Sequence, residues 1–220
     1  MDGERQRAWA AAGRAAAGMV EPGMSVGLGT GRAAGAGIRA LGERVAAGLR
    51  CRGVATSRPS AELARELGIP VGRLRGPLDL AFDGADAIDP AGLAVKGGGG
   101  AHVRERIVAD SAARFLVLVD GPKLVRTLDD WGRLPLAVVP FAAVRVVQEL
   151  ADLGPVARDH RSDDGMVLID LHPPPGADWS AIAIRARAVP GVVDHGLFAL
   201  RPDDVLVGRA DGSVATLAGR

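Results

Sequence analysis

Residues 24–48 read MSVGLGTGRAAGAGIRALGERVAAG, and this stretch decides the fold that the sequence predicts. Its first five residues have the short apolar character of a buried strand, and the glycines that follow indicate a tight turn. After the turn, Ile38, Leu41 and Val45 recur at the spacing of one helix face. The stretch therefore predicts a strand, a glycine loop and a helix in immediate succession.

The same alternation continues along the chain. Further strands are predicted at 49–57, 78–86 and 114–121, with helices at 58–68 and about 101–113. The run RFLVLVDG at 114–121 is continuously apolar, as expected for a strand buried on both faces of a parallel sheet. The pattern predicts an α/β fold with an open, Rossmann-like, mostly parallel sheet, whose ligands collect at the carboxyl ends of the strands.

The order of predicted strands and helices changes near Leu134, and this change predicts a second, smaller domain. From there, the segments follow in the order strand, helix, strand, strand, helix, strand, which is the order of a ferredoxin-like α+β unit. The closing segment 204–218 contains two short strands around an Asp-Gly turn and is expected to return to the main sheet. We therefore predict a Rossmann-like catalytic domain over 1–130 and 204–220, and a small α+β domain over 131–203.

Composition limits the class of partner. The 27 Lys and Arg residues are balanced by 26 Asp and Glu residues, so no basic face for nucleic acid or an anionic membrane is expected. The single cysteine, Cys51, excludes an internal disulfide framework and fits a reducing compartment. The first twenty residues are charged and then Ala-rich, with breaks at Gly13 and Gly18, which is typical of a helix and not of a signal peptide or membrane span. We expect a cytoplasmic protein that acts on a small molecule.

The basic residues are almost all arginine. Only Lys96 and Lys123 depart from this usage. A lysine offers a compact ammonium where an arginine offers a wide planar fork, so these two positions are candidates for sites at which arginine cannot substitute. The alternative is that both lysines survive by chance.

The first glycine loop, GLGTGRAAG at 27–35, resembles a dinucleotide-binding fingerprint only loosely, and no acid follows at the end of the next strand. Nicotinamide dinucleotide binding is therefore not expected. A glycine loop at a helix N-terminus still presents N–H groups to an anion, typically a phosphate, and Thr30 and Arg32 would add a hydroxyl and a charge. The alternative is a tight turn without a ligand.

A second cluster occupies residues 83–106, DGADAIDPAGLAVKGGGGAHVRER. Asp83 and Asp86 directly follow a predicted strand, Lys96 precedes four glycines, and Glu105 lies in the first turns of the next predicted helix. Glycines allow a ligand to approach the backbone closely. Neighbouring carboxylates and an ammonium adjust one another's pKa values, so the group is suited to proton transfer beside a carbonyl.

This cluster has other interpretations. It could be a solvated acidic turn with a flexible glycine linker, or Asp83, Asp86 and Asp89 could bind a magnesium ion. Lys96 disfavours the metal because its ammonium supplies the positive charge. His102 is predicted on the same helix face as Glu105, either tuning it or only packing against it.

A third segment, VDGPK at 119–123, also follows a buried strand. Its Asp120 and Lys123 are expected at the same sheet edge as the cluster at 83–106, where Lys123 could reach a hydroxyl or phosphate. A turn capped by Asp120 is the alternative.

These motifs resemble the type A ribose-5-phosphate isomerase family over nearly the whole chain. The resemblance is carried by VEPGMSVGLGTG, GVATS, DGAD, KGGGG, RER, VDGPK, PLAVVPFA and PGVVDHGLF. It implies an aldose–ketose isomerase that interconverts D-ribose 5-phosphate and D-ribulose 5-phosphate through an enediolate, with neither a metal nor another cofactor. It also implies a homo-oligomer, either a dimer or a tetramer.

The resemblance assigns roles residue by residue. Glu105 would be the base that moves the proton between C1 and C2, Asp83 would help to open the sugar ring, and Lys96 with Asp86 would stabilise the enediolate oxygen. The expected substrate-binding residues are Gly29, Thr30, Gly31, Arg32, Gly97, Gly98, Gly99 and Lys123.

The sequence also departs from the family pattern at the rim of this site. Arg32 and Ala33 stand where the family usually has serine and threonine, and His102 stands where it usually has an apolar residue. Two alternatives follow. One is a paralogue that isomerises or epimerises a different sugar phosphate or sugar acid, and the other is a non-catalytic ligand-binding module on the same fold.

Overall fold

The computed structural model describes residues 2–218, which form two compact units. The first unit contains residues 2–85, 104–124 and 200–218, and the second contains 86–103 and 125–199. The helices of the described residues are α1 Asp2–Gly18, α2 Arg32–Ala46, α3 Arg58–Glu66, α4 His102–Asp110, α5 Ala143–Glu149 and α6 Trp179–Ala188. The strands are β1 Ser25–Leu28, β2 Arg52–Ala55, β3 Leu80–Gly84, β4 Ala87–Ile88, β5 Leu93–Val95, β6 Phe115–Asp120, β7 Leu134–Val138, β8 Val156–Arg161, β9 Val167–Leu171, β10 Val192–His195, β11 Leu197–Ala199, β12 Val205–Gly208 and β13 Val214–Thr216.

The first unit is built around a six-stranded sheet in the order β13-β12-β6-β3-β1-β2. All neighbouring strands are parallel except the β12–β13 pair, which is the closing hairpin. Four successive residues of β6, from Leu116 to Val119, are buried, as befits a strand covered on both faces. The predicted open, mostly parallel sheet and the return of the closing hairpin to it are confirmed.

Glycines allow the helices of this unit to approach their neighbours closely. A Cβ on Gly13 of α1 would lie 2.7 Å from the Ala36 carbonyl carbon of α2. A Cβ on Gly208 of β12 would overlap the Ala8 carbonyl of α1. Because real Cβ atoms do not come this close to backbone atoms, these positions let α1 pack directly against both α2 and the sheet.

The second unit has a four-stranded antiparallel sheet in the order β10-β7-β9-β8, with α5 and α6 in the connections. This order and the strand-helix-strand-strand-helix-strand succession are those predicted for the ferredoxin-like unit, which is confirmed. Its core includes Leu136, Leu150, Ile169 and Trp179. A separate three-stranded antiparallel sheet, β11-β5-β4, belongs to the same unit.

The division between the units differs from the predicted boundaries by a few residues at 125–130 and 200–203, and by a whole segment at 86–103. Residues 86–103 fall in the second unit, although the prediction placed them with the first. The physical reason is strand pairing, since β5 pairs with β4 on one side and with β11 on the other. Sequence patterning reports that a strand exists but not which distant strand it joins.

Candidate active site

The first glycine loop is held by hydrogen bonds at the end of β1. The Gly29 N–H donates to the Phe82 carbonyl over 2.9 Å, and the Ser60 hydroxyl donates to the Gly29 carbonyl over 2.7 Å. The Thr30 and Thr56 hydroxyls lie 2.7 Å apart, and Thr56 also donates to the Leu28 carbonyl. The loop is therefore a fixed platform at the carboxyl end of the sheet.

Asp83 joins this platform from the next strand. Its Oδ1 accepts hydrogen bonds from the N–H groups of Thr30 (2.9 Å) and Gly84 (2.7 Å), and the residue is 1% exposed. A Cβ on Gly29 would overlap the Asp83 carboxylate, so the glycine is required for this approach. Asp83 lies near the end of β3, and its carboxylate meets the first glycine loop there.

Arg32 begins α2 and lies over an aromatic ring from α1. Its guanidinium carbon is 5.4 Å from the centroid of the Trp9 ring, and that of Arg5 is 5.2 Å from the same centroid. Gly31 occupies the N-cap with a φ of 100° and provides no side-chain cap. Trp9 was missed by the sequence reasoning, because an aromatic residue in an Ala-rich amphipathic helix gives no sign that it holds an arginine.

Asp120 is engaged by Arg5. The Arg5 Nε donates to Asp120 Oδ2 over 2.6 Å, and this hydrogen bond raises the pKa of the Arg5 guanidinium. The Asp120 carboxylate forms no capping hydrogen bond to the 3₁₀ turn that follows, Gly121–Lys123. The alternative of a turn capped by Asp120 is therefore wrong. Lys123 ends that turn and is half-buried.

Glu105 lies in the first turn of α4 and is 5% exposed. The helix begins at His102, which is fully buried. Burial of a glutamate is uncommon, because removing a carboxylate from water is costly unless the surroundings compensate it. Glu105 therefore has the character expected of a functional residue.

Lys96 is the corresponding buried cation of the second unit. It is 2% exposed, and its Nζ lies 5.6 Å from the centroid of the Phe198 ring. Its backbone N–H donates a hydrogen bond to the Gly196 carbonyl over 2.8 Å. Lysines are almost never fully buried without a compensating partner or a function. Lys96 thus differs from the largely exposed arginines of the chain.

The glycines after Lys96 are arranged by neighbouring side chains of the same unit. The Gly98 N–H donates to Asp86 Oδ2 over 2.7 Å. Gly97 has a φ of 94°, and a Cβ there would lie 2.6 Å from His102 Nδ1. The loop is therefore a held structure and not a flexible linker, and Asp86 orients it.

Arg158 of β8 supports the same loop and was missed by the sequence reasoning. Its Nη1 donates to the Gly97 carbonyl (2.9 Å) and the Gly98 carbonyl (3.0 Å), while Nε and Nη2 bind both oxygens of Asp170 at 2.9 and 2.6 Å. Only the fold brings these residues together, because about sixty residues separate Arg158 from the glycines.

Asp89 has a structural role. Its carboxylate accepts a hydrogen bond from the Leu93 N–H over 2.8 Å, and its own N–H donates to the Leu93 carbonyl. It thus closes the turn between β4 and β5. Across residues 2–218 the structure contains no cluster of three or more His, Cys, Asp or Glu side chains arranged to bind a metal ion.

The predicted site residues therefore form two sets, one in each unit. The set of the first unit comprises Gly29, Thr30, Gly31, Arg32, Asp83, Glu105 and Lys123, and that of the second comprises Asp86, Lys96, Gly97, Gly98 and Gly99. The first set includes two buried carboxylates, Asp83 and Glu105, and the second includes a buried ammonium, Lys96. Buried carboxylates and a buried ammonium are kinds of group that catalyse proton transfer, which is the chemistry of an isomerase.

Comparison with known proteins agrees with this class. The sequence model of the family described as ribose 5-phosphate isomerase A (phosphoriboisomerase A) matches residues 52–212. The chain is similar to ribose-5-phosphate isomerase A of Natronomonas pharaonis, with 46% identity over 91% of this chain and 92% of the relative. It is also similar to that of Thermomicrobium roseum, with 43% identity over 94% of this chain and 92% of the relative.

Solved structures show the same likeness. The structure of ribose 5-phosphate isomerase A from Methanocaldococcus jannaschii superposes with a TM-score of 0.86 and 35% identity, covering 94% of this chain and 97% of that one. A D-ribose-5-phosphate isomerase in complex with phospho-erythronic acid gives a TM-score of 0.84 and 32% identity, with the same coverage. The chain belongs to the ribose 5-phosphate isomerase A family, and it is an enzyme of the isomerase class.

Proposed function

We propose that this protein interconverts D-ribose 5-phosphate and D-ribulose 5-phosphate. The observation that carries the proposal is the burial of three ionisable residues, Asp83, Lys96 and Glu105, at positions that match the family motif. A protein that only bound a sugar would have no need of buried groups suited to moving a proton. The family membership of the chain supplies the substrate and the reaction.

In the proposed mechanism, Asp83 first assists opening of the sugar ring by accepting and returning a hydroxyl proton. The fixed donors from Thr30 and Gly84 hold its carboxylate in one orientation, so its second oxygen has a defined direction. Glu105 then removes the C2 proton of the open aldose, which yields an enediolate. A proton passes from O2 to O1, and Glu105 returns its proton to C1, which gives the ketose. The reverse reaction uses the same two positions.

Lys96 is assigned to the enediolate oxygen. An ammonium placed at developing negative charge is worth most where water is excluded, and Lys96 is buried. Asp86 holds the adjacent glycine loop through Gly98, and the loop's N–H groups would face the sugar oxygens. No metal is required in this scheme, because the lysine provides the electrophile.

The remaining candidate residues are assigned to substrate binding. Gly29, Thr30, Gly31 and Arg32 would hold the phosphate, assisted by Lys123, and the loop Gly97–Gly99 would contact the sugar. The phospho-erythronic acid bound to the solved relative supports a sugar-phosphate substrate. That compound pairs a phosphate with a planar carboxylate, which has the shape and charge of an enediolate.

A second candidate function is the same chemistry on a different sugar phosphate or a sugar acid. It is favoured by the loop itself, because Arg32 and Ala33 replace two hydroxyl side chains that the family usually has. Arg32 is also held over Trp9, an arrangement suited to a planar anion such as a carboxylate. The test below distinguishes these two candidate substrates.

The test is isomerisation of D-ribose 5-phosphate by the purified protein in the presence of a chelator, beside Glu105→Gln. We expect turnover by the parent protein and a loss of about 10²–10⁴-fold in kcat in the variant, the range for removing a general base. Matching thermal unfolding curves must show that the variant is folded. An inactive parent protein would contradict the substrate assignment, and uptake of solvent deuterium at C1 or C2 of another sugar phosphate or a sugar acid would favour the second candidate.

A further inference from the structure

The first unit contains a groove of which the proposed reaction uses only one end, at Thr30, Gly31 and Arg32. It has a volume of about 690 Å³, within the range of roughly 300–1,000 Å³ typical of small-molecule sites. Helices α1, α2 and α3 form its sides, and Thr30 and Gly31 of the first glycine loop lie at one end. We call it the α2 groove.

The floor of the α2 groove is one face of α2. Gly35, Ala36 and Ala40 lie at helical spacing along this face, and their small size leaves the space that larger side chains would fill. A Cβ on Gly35 would still be 3.8 Å from the nearest side-chain atom, that of Leu63. The opening is therefore a property of the sequence of α2.

Three arginines line the α2 groove: Arg14, Arg32 and Arg39. Within residues 2–218, none of their guanidiniums has a carboxylate within ion-pair distance or donates a hydrogen bond to the protein. Glu43 is the single acidic residue among the lining residues of the described chain. The groove thus carries an excess of positive charge that the protein itself leaves uncompensated.

The arginines are distributed along the groove and not gathered at one point. Arg32 and Arg39 are seven residues apart on α2, which corresponds to about 10 Å along the helix axis. Arg32 is held over Trp9 at the loop end. A single small anion could engage one of these guanidiniums, whereas a ligand with two separated anionic groups could engage both.

The other polar groups in the groove indicate the body of such a ligand. Gln6 and Glu43 line it as well, and both can exchange hydrogen bonds with hydroxyl groups. Both side chains are exposed and therefore hydrated, and the hydroxyl groups of a polyhydroxylated linker could take the place of that water.

We propose that the α2 groove binds a sugar bisphosphate, with one phosphate at Arg32 and the other at Arg39 and Arg14. Guanidiniums bind phosphate through paired, charge-assisted hydrogen bonds, so two separated guanidiniums select two separated phosphates. The site adjoins the loop proposed to hold the isomerase substrate, and occupancy of the two is expected to be competitive. The proposal concerns binding alone and stands whether or not the isomerase assignment is correct.

The test is isothermal titration of the folded protein with inorganic phosphate and with D-fructose 1,6-bisphosphate as the probe. We expect the bisphosphate to bind at least about tenfold more tightly than phosphate, which is the effect of one added charge-assisted pair. Arg39→Ala should remove this advantage while leaving the weaker phosphate binding in place. The matched control is Arg65→Ala, which removes an exposed arginine of α3 that does not line the groove.

Three results would overturn the proposal. The first is no saturable binding of the bisphosphate by the parent protein, and the second is equal loss in Arg39→Ala and Arg65→Ala. The third is a dimer in sedimentation experiments that Arg39→Glu dissociates, since the occupant of the groove would then be a second copy of the chain. Because titration needs no turnover, an inactive isomerase with intact bisphosphate binding would reject the proposed function and retain this one.

Discussion

At the scale of single residues, the site depends on glycines that allow side chains and backbone to meet. Gly29 is the clearest case, because a Cβ there would overlap the Asp83 carboxylate. The Asp83 carboxylate is oriented by the Thr30 and Gly84 N–H groups, so displacing it would break both hydrogen bonds. An Asp at the end of a strand becomes a positioned group only because its neighbour has no side chain.

We predict that Gly29→Ala reduces isomerase kcat by at least about tenfold and destabilises the protein by roughly 1–3 kcal/mol, the cost of forcing a buried side chain aside. Thermal unfolding and steady-state kinetics measure the two effects. Gly35→Ala is the matched control, because its Cβ meets nothing closer than 3.8 Å and alanine is the better helix former. A Gly29→Ala variant with unchanged kcat would mean that Asp83 has no part in the reaction.

A second residue-scale prediction concerns Asp129. Its carboxylate accepts hydrogen bonds from Trp179 Nε1 (2.8 Å) and the Gly176 N–H (2.7 Å), and these lower the pKa of Asp129. A carboxyl whose pKa is lower in the folded state stabilises the fold above its unfolded pKa, and this contribution is lost as the pH falls through the folded pKa. Urea unfolding between pH 6 and pH 2 should therefore show a smaller loss of stability in Asp129→Asn than in the parent protein.

The control for this series is Asp110→Asn, which changes an exposed acid of α4. It should retain the acid-induced loss of stability of the parent protein. If Asp129→Asn and the parent protein have the same pH dependence, the hydrogen bonds from Trp179 and Gly176 do not stabilise the ionised carboxyl.

At the scale of elements, β8 supports the second glycine loop from a distance in sequence. Arg158 binds the Gly97 and Gly98 carbonyls and forms a two-point ion pair with Asp170, with both side chains about 10% exposed. We predict that Arg158→Ala costs roughly 3 kcal/mol, because it leaves Asp170 buried without its main partner, and that it lowers kcat more than it raises KM. Urea unfolding and steady-state kinetics check the two parts.

Arg161→Ala provides the comparison on the same strand. Arg161 is exposed and donates only to the Gly165 carbonyl, so its removal should change stability by less than about 0.5 kcal/mol. Equal effects of the two substitutions would show that β8 as a whole, and not the Arg158 contacts, supports the loop.

Sequence alone predicted those parts of the molecule that local patterns encode. Strand, glycine loop and helix follow from periodicity, and the position of Asp83 near a strand end follows from the rule that sites collect at the carboxyl ends of parallel strands. The contribution of Arg158 does not follow, since its partners lie far away along the chain. Likewise, the placement of 86–103 in the second unit depends on the pairing of β5 with β11, which no local pattern specifies.

At the scale of the whole molecule, the known relatives establish the family, and several expectations stay predictions. No helix among residues 2–218 is both long and apolar enough to cross a bilayer. The cytoplasmic location and the homodimer or homotetramer expected from the sequence are untested. Sedimentation of the purified protein would decide the oligomeric state directly.

The chain passes between the two units four times, and α4 belongs to both, since the division falls after Val103. This links the order of one unit to that of the other, because the carbonyls of His102 and Val103 accept the first hydrogen bonds of the helix from residues of the first unit. We therefore predict that the two units unfold in urea as one cooperative transition.

Two natural probes can test this prediction. Cys51 lies in the core of the first unit, where burial raises the pKa of its thiol, so alkylation at pH 8 should be slow until that unit unfolds. Trp131 and Trp179 belong to the second unit, and Trp9→Phe leaves them as the fluorescent residues. Coinciding urea midpoints for Cys51 alkylation and tryptophan fluorescence are the expected result. A fluorescence change that is complete before Cys51 becomes reactive would mean that the second unit unfolds by itself, and that α4 does not couple the two.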